Sequence, residues 1–428
     1  MNNKVITIII IFFISFLFYG CAHEKNNTSP FHNYVLPEKV PADSIDPFLL
    51  FKTLRGQRVV TNGWADYAND GQGITYANPA YPIIISDVLF PDPIAKLQAF
   101  IDALNVQDQH VFIIICGDID LSRGRITDAP GRIRGVTNCV ENRMLYIRSD
   151  NTTIIGINSA RIMFGGLRIY NRKNITIRNL TFWDARDTRR RPGLDHLEIA
   201  GDETEGIWVN HVKFSSGAGN HRLGGDWHDT LLNISHGTAT VSWSEFTNAN
   251  EVLLVGGGDE GEFPPGASNE ELLRLRSRRR VTLHHNYFHT ARDRMPMTRG
   301  TQMHIYNNLF RNIWRHAMAP GINAHFVVQN NVFDSICLNR AVHWKLDRRT
   351  RIGAVVWHSG NIGAPLSARR SAPALLETYP APKPWNPSNF YNYILENDVN
   401  SLRTLIPKRA GPTLTSIECF QKNTRPFD

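Results

Sequence analysis

Val281-Thr-Leu-His-His-Asn-Tyr-Phe288 is one copy of a template that recurs along this chain, a short apolar segment that ends in phenylalanine. Two further copies are Met303-His-Ile-Tyr-Asn-Asn-Leu-Phe310 and Phe326-Val-Val-Gln-Asn-Asn-Val-Phe333. Three earlier copies are Ile175–Phe182, Gly206–Phe214 and Ala239–Phe246. The closing phenylalanines are 32, 32, 42, 22 and 23 residues apart, which indicates a basic period near 22 residues, lengthened in places by loop insertions.

A period of this length predicts a stack of coils built from short strands. Each strand would hydrogen-bond to the equivalent strand of the next coil, so that phenylalanine falls on phenylalanine in the interior. Asparagine near the end of the template tolerates the left-handed backbone of a tight bend and can bond to its neighbour in the adjacent coil. A β-sandwich also has many short strands, but its strands alternate more regularly and lack this repeated ending. We therefore predict an all-β parallel β-helix.

The N-terminus is predicted to be an export signal rather than part of the fold. An unbroken apolar run, Val5 to Tyr19, has the length of a signal peptide and is short for a membrane span. It ends at Gly20-Cys21, which resembles a bacterial lipoprotein cleavage site with Cys21 lipidated. Phe18 and Tyr19 are bulkier than that signal usually accepts, so ordinary export and an uncleaved anchor remain alternatives. We interpret residues 1–20 as the signal peptide and residues 21–45 as a tether.

Residues 46–428 are expected to form one domain. Asp92 as N-cap and Pro93 at the first helical position predict a short N-terminal helix, in which Leu97 and Leu104 recur at helical spacing. After about residue 345 the repeat fades, and a wrapping C-terminal segment is expected, with a short helix around Val399–Leu405. Long loops that extend the coils are predicted near three regions, which are 186–205, 215–230 and 255–275.

Four further motifs follow one another within residues 55–340. They are Ile207-Trp-Val-Asn-His211, Val281-Thr-Leu-His-His-Asn286, Arg294-Met-Pro-Met-Thr-Arg299 and His304-Ile-Tyr-Asn-Asn308. In this order and spacing the set resembles the pectate lyase family, including its pectin lyase branch, although Asn210 stands where the family has aspartate. The resemblance implies a right-handed single-stranded parallel β-helix and a lyase that acts on polygalacturonate or pectin.

The resemblance also implies the reaction, a β-elimination. A base removes the proton at C5, next to the uronate carboxyl group, and the glycosidic oxygen at C4 then leaves. Arg294 matches the family's catalytic arginine, and Arg299 matches its carboxylate-binding arginine, a role that suits a bidentate fork. Arg292, two residues before Arg294, is a further candidate for substrate binding. Arginine is almost wholly protonated in proteins, so the residue type alone does not establish it as a base.

The family's calcium sites, which the resemblance carries over, use carboxylates at the coil edge. Calcium is a hard cation that takes several oxygen ligands and can bridge protein to a substrate carboxylate. Asp195, Asp229 and Asn233 stand at the matching positions. Asn233 offers only a neutral carbonyl where the family has an acid, so weak binding is expected. The alternatives are a turn or cap role for Asp229 and a ladder role for Asn233.

Glu251 is the largest departure from the family pattern. The family usually has a substrate-binding lysine just before the strand that corresponds to Val252-Leu-Leu-Val-Gly256. An acid at that position repels a polyuronate unless a cation lies between them or the side chain points elsewhere. Two alternatives therefore stay open: a pectin lyase, with an arginine such as Arg222 in place of the metal, and a non-catalytic surface protein that binds acidic polysaccharide. Polygalacturonase-type hydrolysis needs clustered acids, and the chain has no Asp-Asp pair.

The overall charge agrees with an acidic ligand. Formal net charge is +8 at pH 7 and the pI is about 9.3, which favours polyanionic partners. With the resemblance, we predict an acidic polysaccharide as the partner, no nucleic acid, and a monomer. We expect an exported protein, either a cell-surface or outer-membrane lipoprotein held to the membrane through Cys21 or a secreted protein.

Overall fold

The computed structural model describes nine segments of the chain. They are residues 45–68, 72–124, 126, 143–186, 194–217, 228–256, 266–337, 353–364 and 384–422. The predicted signal peptide, Cys21 and Arg222 lie outside the described residues. In the described segments no helix combines the length and the apolar character that crossing a bilayer requires.

The strands form a stack of coils in which nearly every pairing is parallel. One strand of each coil joins a seven-stranded sheet, here called sheet 1. Its members are β5 (Met144–Ile147), β7 (Gly166–Tyr170), β10 (Leu197–Ala200), β13 (Leu232–Ile234), β16 (Leu253–Val255), β19 (Met297–Thr298) and β22 (Ala319–Pro320). Each strand of sheet 1 pairs with the strand of the next coil rather than with its neighbour in sequence, as a β-helix requires.

The other strands form a second, 17-stranded sheet that bends around the core. Its first strands are β3 (Ile83–Ser86), β4 (Val111–Asp120) and β6 (Thr152–Met163). One column continues with β8 (Lys173–Arg178), β11 (Glu205–Asn210), β14 (Gly237–Ser242), β17 (Arg279–His284), β20 (Gln302–Tyr306), β23 (His325–Gln329) and β25 (Val355–Ser359). A second column holds β9 (Thr181–Trp183), β12 (Lys213–Ser215), β15 (Glu245–Glu251), β18 (Tyr287–Asp293), β21 (Leu309–Ile313), β24 (Val332–Ile336) and β26 (Ile362–Gly363). The remaining strands, β1 (Arg58–Val59) and β2 (Ile74–Thr75), pair antiparallel.

Helices lie at the ends and flanks of this stack. They are α1 (Pro47–Leu54), α2 (Trp64–Tyr67), α3 (Pro93–Leu104), α4 (Asn269–Ser277), α5 (Leu402–Arg409) and α6 (Ile417–Lys422), with 3-10 turns at Pro387–Asn389 and Val399–Ser401. The fold is therefore mostly strand, as predicted.

A ladder of stacked phenylalanine rings fills the interior of the coils. Ring centroids of successive members lie 4.8–5.2 Å apart and the planes are nearly parallel. The six members are Phe182, Phe214, Phe246, Phe288, Phe310 and Phe333. Each is at most 1% exposed, so the ladder combines full hydrophobic burial with about 0.5–1.5 kcal/mol per stacked pair. This confirms the predicted stacking of the repeat.

A second ladder is formed by asparagine side chains at the bends. Asn286 donates from Nδ2 to Oδ1 of Asn308 across 3.0 Å, Asn308 donates likewise to Asn331 across 2.9 Å, and Asn331 to Asn361 across 2.9 Å. The residue before Asn308, Asn307, takes a left-handed backbone with φ of 53°. In each Asn-Asn pair the first residue thus makes the bend and the second carries the ladder.

The helix expected from Asp92 onward is α3. Asp92 caps it, since its Oδ1 accepts a hydrogen bond from the Ile94 amide at 3.1 Å. Leu97 and Leu104 are buried and Ile94 is exposed, so the apolar face is set by the later positions. α3 packs against β3, β4 and β5, which are among the first strands along the chain.

The three predicted loops, 186–205, 215–230 and 255–275, lie partly outside the described residues, which leave out 187–193, 218–227 and 257–265. The region 186–205 contains β10, and the region 255–275 contains the first part of α4. Ser268 caps α4, since its side chain accepts a hydrogen bond from the Glu271 amide at 3.2 Å. Acidic residues in the first turn and arginines in the last turn each interact favourably with the helix dipole. At the C-terminus the helix expected around 399–405 is present as a 3-10 turn followed by α5, whose Leu402 is buried.

Candidate active site

The candidate site lies along the side of sheet 1 that is formed by the N-terminal ends of its strands, and this side is here called the edge of sheet 1. Leu197, Leu232 and Leu253 are in register on β10, β13 and β16. Asp195 and Glu251 each stand two residues before these paired leucines, so they occupy equivalent positions in different coils. This register brings acidic side chains to one edge of the sheet although loops of different length separate them in sequence.

Arg294 joins this edge from the next coil. It stands three residues before Met297, which pairs with Leu254, so its position corresponds to that of Glu251. Its backbone takes the left-handed conformation, with φ of 65°, and its carbonyl accepts from the Leu253 amide at 2.6 Å. The bend at Arg294 turns the chain out of β18 and into sheet 1 and leaves the side chain one-quarter exposed.

The guanidinium of Arg294 forms an ion pair with the carboxylate of Glu251. Its Nε also lies 4.0 Å from Oδ1 of Asp293, which is buried and pairs with Arg315 at 3.0 Å. Among the described residues these two acids are the ion-pair partners of Arg294. The Glu251 side chain is 29% exposed, so both members of the pair remain open to a ligand.

Asp195, Asp229 and Asn233 form a cluster of oxygen donors beside this pair. Asn233 donates from Nδ2 to Oδ2 of Asp195 across 3.0 Å, and Asp229 accepts from the Thr230 amide across the same distance. Asp195 is 4% exposed, and burial together with the negative charge of Asp229 raises the pKa of Asp195 to about 8. Burial therefore favours the neutral, protonated form of Asp195, and a positive charge nearby would stabilise its ionised form.

The donors of this cluster fit a hard cation. Oδ1 of Asp195 and Oδ1 of Asn233 are buried oxygens without a hydrogen-bond donor in the described part of the chain. Unsatisfied buried oxygens of this kind are costly, and a cation such as calcium would satisfy both. In the same described part, no three His, Cys, Asp or Glu side chains are grouped to hold a metal, because the third donor here is an amide.

Arg299 and Arg292 occupy different positions around Arg294. Arg299 is half-buried directly after β19, where its amide donates to the Val255 carbonyl at 2.9 Å. Gly256, with φ of 82°, lets the Arg299 backbone approach, since an added Cβ would lie 2.1 Å from its carbonyl oxygen. Arg292 is exposed on β18, and the structure describes no bond that ties it to Arg294. Arg292 thus remains a prediction without structural support of its own.

Sequence reasoning marked Glu251 as a departure but missed its contact with Arg294. It missed Asp293 altogether, although an acid between two candidate arginines was a readable signal. A groove of about 530 Å³ elsewhere is lined by Tyr67, Arg280 and Phe390 among others, and none of the six predicted site residues that are described contributes to it.

Comparison with known proteins agrees with this architecture. The family model for pectate lyases matches residues 45–368. The chain belongs to the pectate lyase family.

Curated relatives of this family are similar over part of their length. A pectate trisaccharide-lyase of Thermotoga maritima is 33% identical over 172 residues, which are 39% of this chain and 41% of that protein. The chain thus spans about two fifths of the length of this relative. A pectate trisaccharide-lyase of Bacillus licheniformis is 25% identical over 264 residues, 61% of this chain and 67% of the relative. Pectate lyase E of Dickeya chrysanthemi is 27% identical over 282 residues, 61% and 65% of the two chains.

Solved structures show the same fold. A pectate lyase bound to hexasaccharide matches with a TM-score of 0.60 at 19% identity, covering 84% of this chain and 99% of that one. A pectate lyase from Acidovorax avenae matches with a TM-score of 0.58 at 20% identity, covering 89% and 99%. The right-handed parallel β-helix expected from the sequence is confirmed.

Proposed function

We propose that this protein is a pectate lyase that cleaves polygalacturonate by β-elimination. The observation that carries the proposal is the juxtaposition, at one edge of sheet 1, of Arg294 with the oxygen-donor cluster of Asp195, Asp229 and Asn233. Membership of the pectate lyase family supports the same activity.

The reaction makes three demands that residues at this edge can meet. The proton at C5 must be taken by a base, the substrate carboxylate must be stabilised as it gains enolate character, and neighbouring uronates must be held. Arg294 is the reacting-centre arginine, and the family resemblance implies that it takes the proton. Arg299 is the carboxylate clamp, since a guanidinium binds a carboxylate through two parallel hydrogen bonds. Arg292 is assigned to a flanking uronate.

Calcium is proposed to bind at Asp195, Asp229 and Asn233. When bound, it would supply positive charge that neutralises the buried carboxylate and links the protein to a substrate carboxylate. The two buried oxygens without donors support this assignment. One ligand is an amide, so we expect weak binding until substrate contributes further oxygens.

Two features favour a second candidate, a pectin lyase that acts on methylated substrate. Asn233 lowers the negative charge of the cation cluster, and Glu251 adds negative charge where a polyuronate must pass. The same two residues favour a non-catalytic protein that binds acidic polysaccharide. The ion pair of Glu251 with Arg294 weakens both arguments, because it neutralises the acid.

One assay separates these functions. The protein is incubated with polygalacturonate and with highly methylated pectin, each with calcium or with excess chelator, and the ultraviolet absorbance of the unsaturated product is followed. A pectate lyase forms product from polygalacturonate and loses activity in chelator. A pectin lyase prefers methylated pectin and keeps its activity in chelator. A binding protein forms no product from either substrate.

We also propose that the protein is exported and lipidated at Cys21. The apolar run that ends at Gly20-Cys21 supports this location, which suits an enzyme whose polymeric substrate lies outside the cell. Mass spectrometry of the native N-terminus provides the test. A mature chain that begins elsewhere, with unmodified Cys21, contradicts the lipid anchor and leaves plain secretion.

A further inference from the structure

Beyond the C-terminal ends of the strands of sheet 1 lies the groove of about 530 Å³, a volume within the usual range of small-molecule sites, roughly 300–1,000 Å³. Three of its lining residues belong to the column that contains β8, and they are Glu205 on β11, Thr238 on β14 and Arg280 on β17. The strands of this column follow those of sheet 1 along the chain, whereas the candidate site lies at the N-terminal ends of sheet 1. The groove is therefore separate from the edge that carries Arg294.

Arg280 is the residue of this groove that indicates a ligand. Its guanidinium lies over two aromatic rings, with Cζ 5.0 Å from the ring centroids of both Trp64 and Tyr67. Its Nε donates to Oε1 of Gln302 across 3.2 Å. Within the described residues, its two Nη groups have neither a hydrogen-bond acceptor nor a carboxylate partner. The stacking and the Nε bond hold the guanidinium in place and leave its other donors for an anion.

The other arginines of the basic run 274–280 lie in different surroundings. Three of them bond to other parts of the protein, namely Arg276 to Asn323, Arg278 to Asp202 across 3.9 Å, and Arg279 to the Ser235 carbonyl. Arg274 is exposed on α4 and does not line the groove. A run that looks uniform in sequence thus places one arginine, Arg280, in the groove.

The remaining lining suits a sugar ring. Tyr67 is 39% exposed, and its ring centroid lies 5.6 Å from that of Phe390. The two rings offer an aromatic surface for the apolar face of a sugar. Hydroxyl and amide side chains that can bond to sugar hydroxyls complete the lining, and they are Thr238, Ser277 and Asn389.

The charge of the groove favours a ligand with a single carboxylate. Glu205 lines the groove as well, but its carboxylate lies 3.5 Å from Nζ of Lys173, so the two charges offset each other. Arg280 is therefore the charge without a partner among the described lining residues. A neutral sugar would leave this guanidinium unpaired. A doubly charged phosphate would bring more negative charge toward Glu205 than Arg280 offsets.

We propose that this groove is a second, non-catalytic binding site for an acidic oligosaccharide, with a uronate carboxylate on Arg280 and the sugar ring against Tyr67. A guanidinium binds a carboxylate through two parallel hydrogen bonds. The choice of galacturonate as the uronate rests on the proposed lyase function. Such a site would hold a polymer on the enzyme and raise its local concentration at the edge of sheet 1.

The test uses trigalacturonate and the full-length protein in excess chelator, which removes calcium-bridged binding at the edge. Binding is followed by ligand-observed NMR titration. Arg280→Gln should weaken binding about tenfold or more, because a charge-assisted pair is lost. Arg274→Gln removes the same charge from an exposed position of the same basic run, and it should bind as the parent does. Melting temperatures show whether each variant folds.

Ser277→Glu keeps the test decisive if Arg280→Gln does not fold. It leaves Arg280 and Tyr67 in place but adds a carboxylate to the groove lining, so it should also weaken binding. Leu273→Glu, at an exposed residue of the same helix that does not line the groove, is its control and should bind as the parent does.

Equal binding by Arg280→Gln and Arg274→Gln overturns the clamp, as does a parent that binds no trigalacturonate in chelator. Equal affinity for inorganic phosphate or for maltotriose, a neutral trisaccharide, overturns the preference for an acidic sugar. With calcium, Arg280→Gln should form unsaturated product from trigalacturonate at the parent rate, and a loss of turnover overturns the separation of groove and edge. A parent that forms no product overturns the lyase function, while the NMR titration still decides the groove.

Discussion

Asn233 donates a hydrogen bond to Asp195 across 3.0 Å, although the two residues lie 38 positions apart in the chain. The bond joins an amide to a buried carboxylate beside a second acid, Asp229. In a calcium site an amide carries less charge than the carboxylate that the family has at this position. The strength of cation binding should therefore depend on this one side chain.

We predict that Asn233→Asp tightens calcium binding by roughly tenfold or more, because ligand charge sets the affinity of oxygen sites. Isothermal titration calorimetry, with and without oligogalacturonate, measures the change. For the parent, binding is expected mainly when oligogalacturonate is present. Equal affinities for parent and variant would contradict the assignment of Asn233 as a ligand. Asn250→Asp, at a buried asparagine outside the cluster, is the control variant for calcium affinity.

The raised pKa of Asp195 predicts an unusual pH dependence of stability. Its folded-state pKa of about 8 exceeds the usual value of 3.8, so the folded protein binds the proton more tightly than the unfolded chain. The stability that this tighter proton binding contributes is fully present below about pH 4 and is lost as pH rises toward 8. In chelator, the free energy of unfolding should thus fall between pH 5 and pH 8 by at most about 4 kcal/mol from this group.

Denaturant unfolding at the two pH values, for the parent and for Asp195→Asn, isolates this contribution. The variant cannot ionise, so its stability should fall less over the same interval. Calcium should restore the stability of the parent at pH 8 by neutralising the carboxylate. Parallel pH profiles of parent and variant would rule out a buried, titrating Asp195.

Arg294→Lys should lose about 100-fold or more in turnover while oligogalacturonate still binds. Lysine keeps the positive charge, but it is a single point donor that cannot hold the Glu251 carboxylate and face the substrate at once. Turnover at saturating substrate and calorimetric binding of oligogalacturonate are measured side by side. Turnover within twofold of the parent would exclude Arg294 from the reacting centre.

Arg299→Ala should act on binding instead. Loss of a charge-assisted clamp costs about 1.5–3 kcal/mol, which corresponds to a rise in KM of roughly 10- to 100-fold with a smaller change in kcat. Arg299→Lys keeps the charge without the fork, and its KM should lie between those of the parent and the alanine variant. A loss confined to kcat would place Arg299 in the chemical step rather than in the clamp.

Phe246→Ala tests the core ladder. Its ring stacks between Phe214 at 4.9 Å and Phe288 at 4.8 Å, so its removal leaves a cavity in the middle of the stack. The free energy of unfolding should fall by about 3–5 kcal/mol in a denaturant titration. Tyr170→Ala, at a residue 53% exposed, should change it by about 0.5 kcal/mol or less.

The fold was predictable from the chain because its repeat is a stacking rule. Strands that end in phenylalanine recur every 22 residues or more, and each ring is buried against the equivalent ring of the next coil. The spacing of Phe288, Phe310 and Phe333 shows this period most clearly. Loops of any length can be inserted between strands without disturbing the stack, so the repeat stayed readable. The helix start at Asp92 and Pro93 was also predicted correctly, because a helix cap depends on hydrogen bonds between residues that are close in sequence.

The contacts and the protonation of the site residues were not predictable in the same way. The segment from Arg294 to Arg299 and the acids at 195 and 229 could be named, but their contacts depend on the register between coils. That register brings Glu251 against Arg294 and buries Asp195 beside Asn233. Burial and neighbouring charge, which raise the pKa of Asp195 to about 8, are properties of the assembled edge, since desolvation depends on every side chain packed around a group.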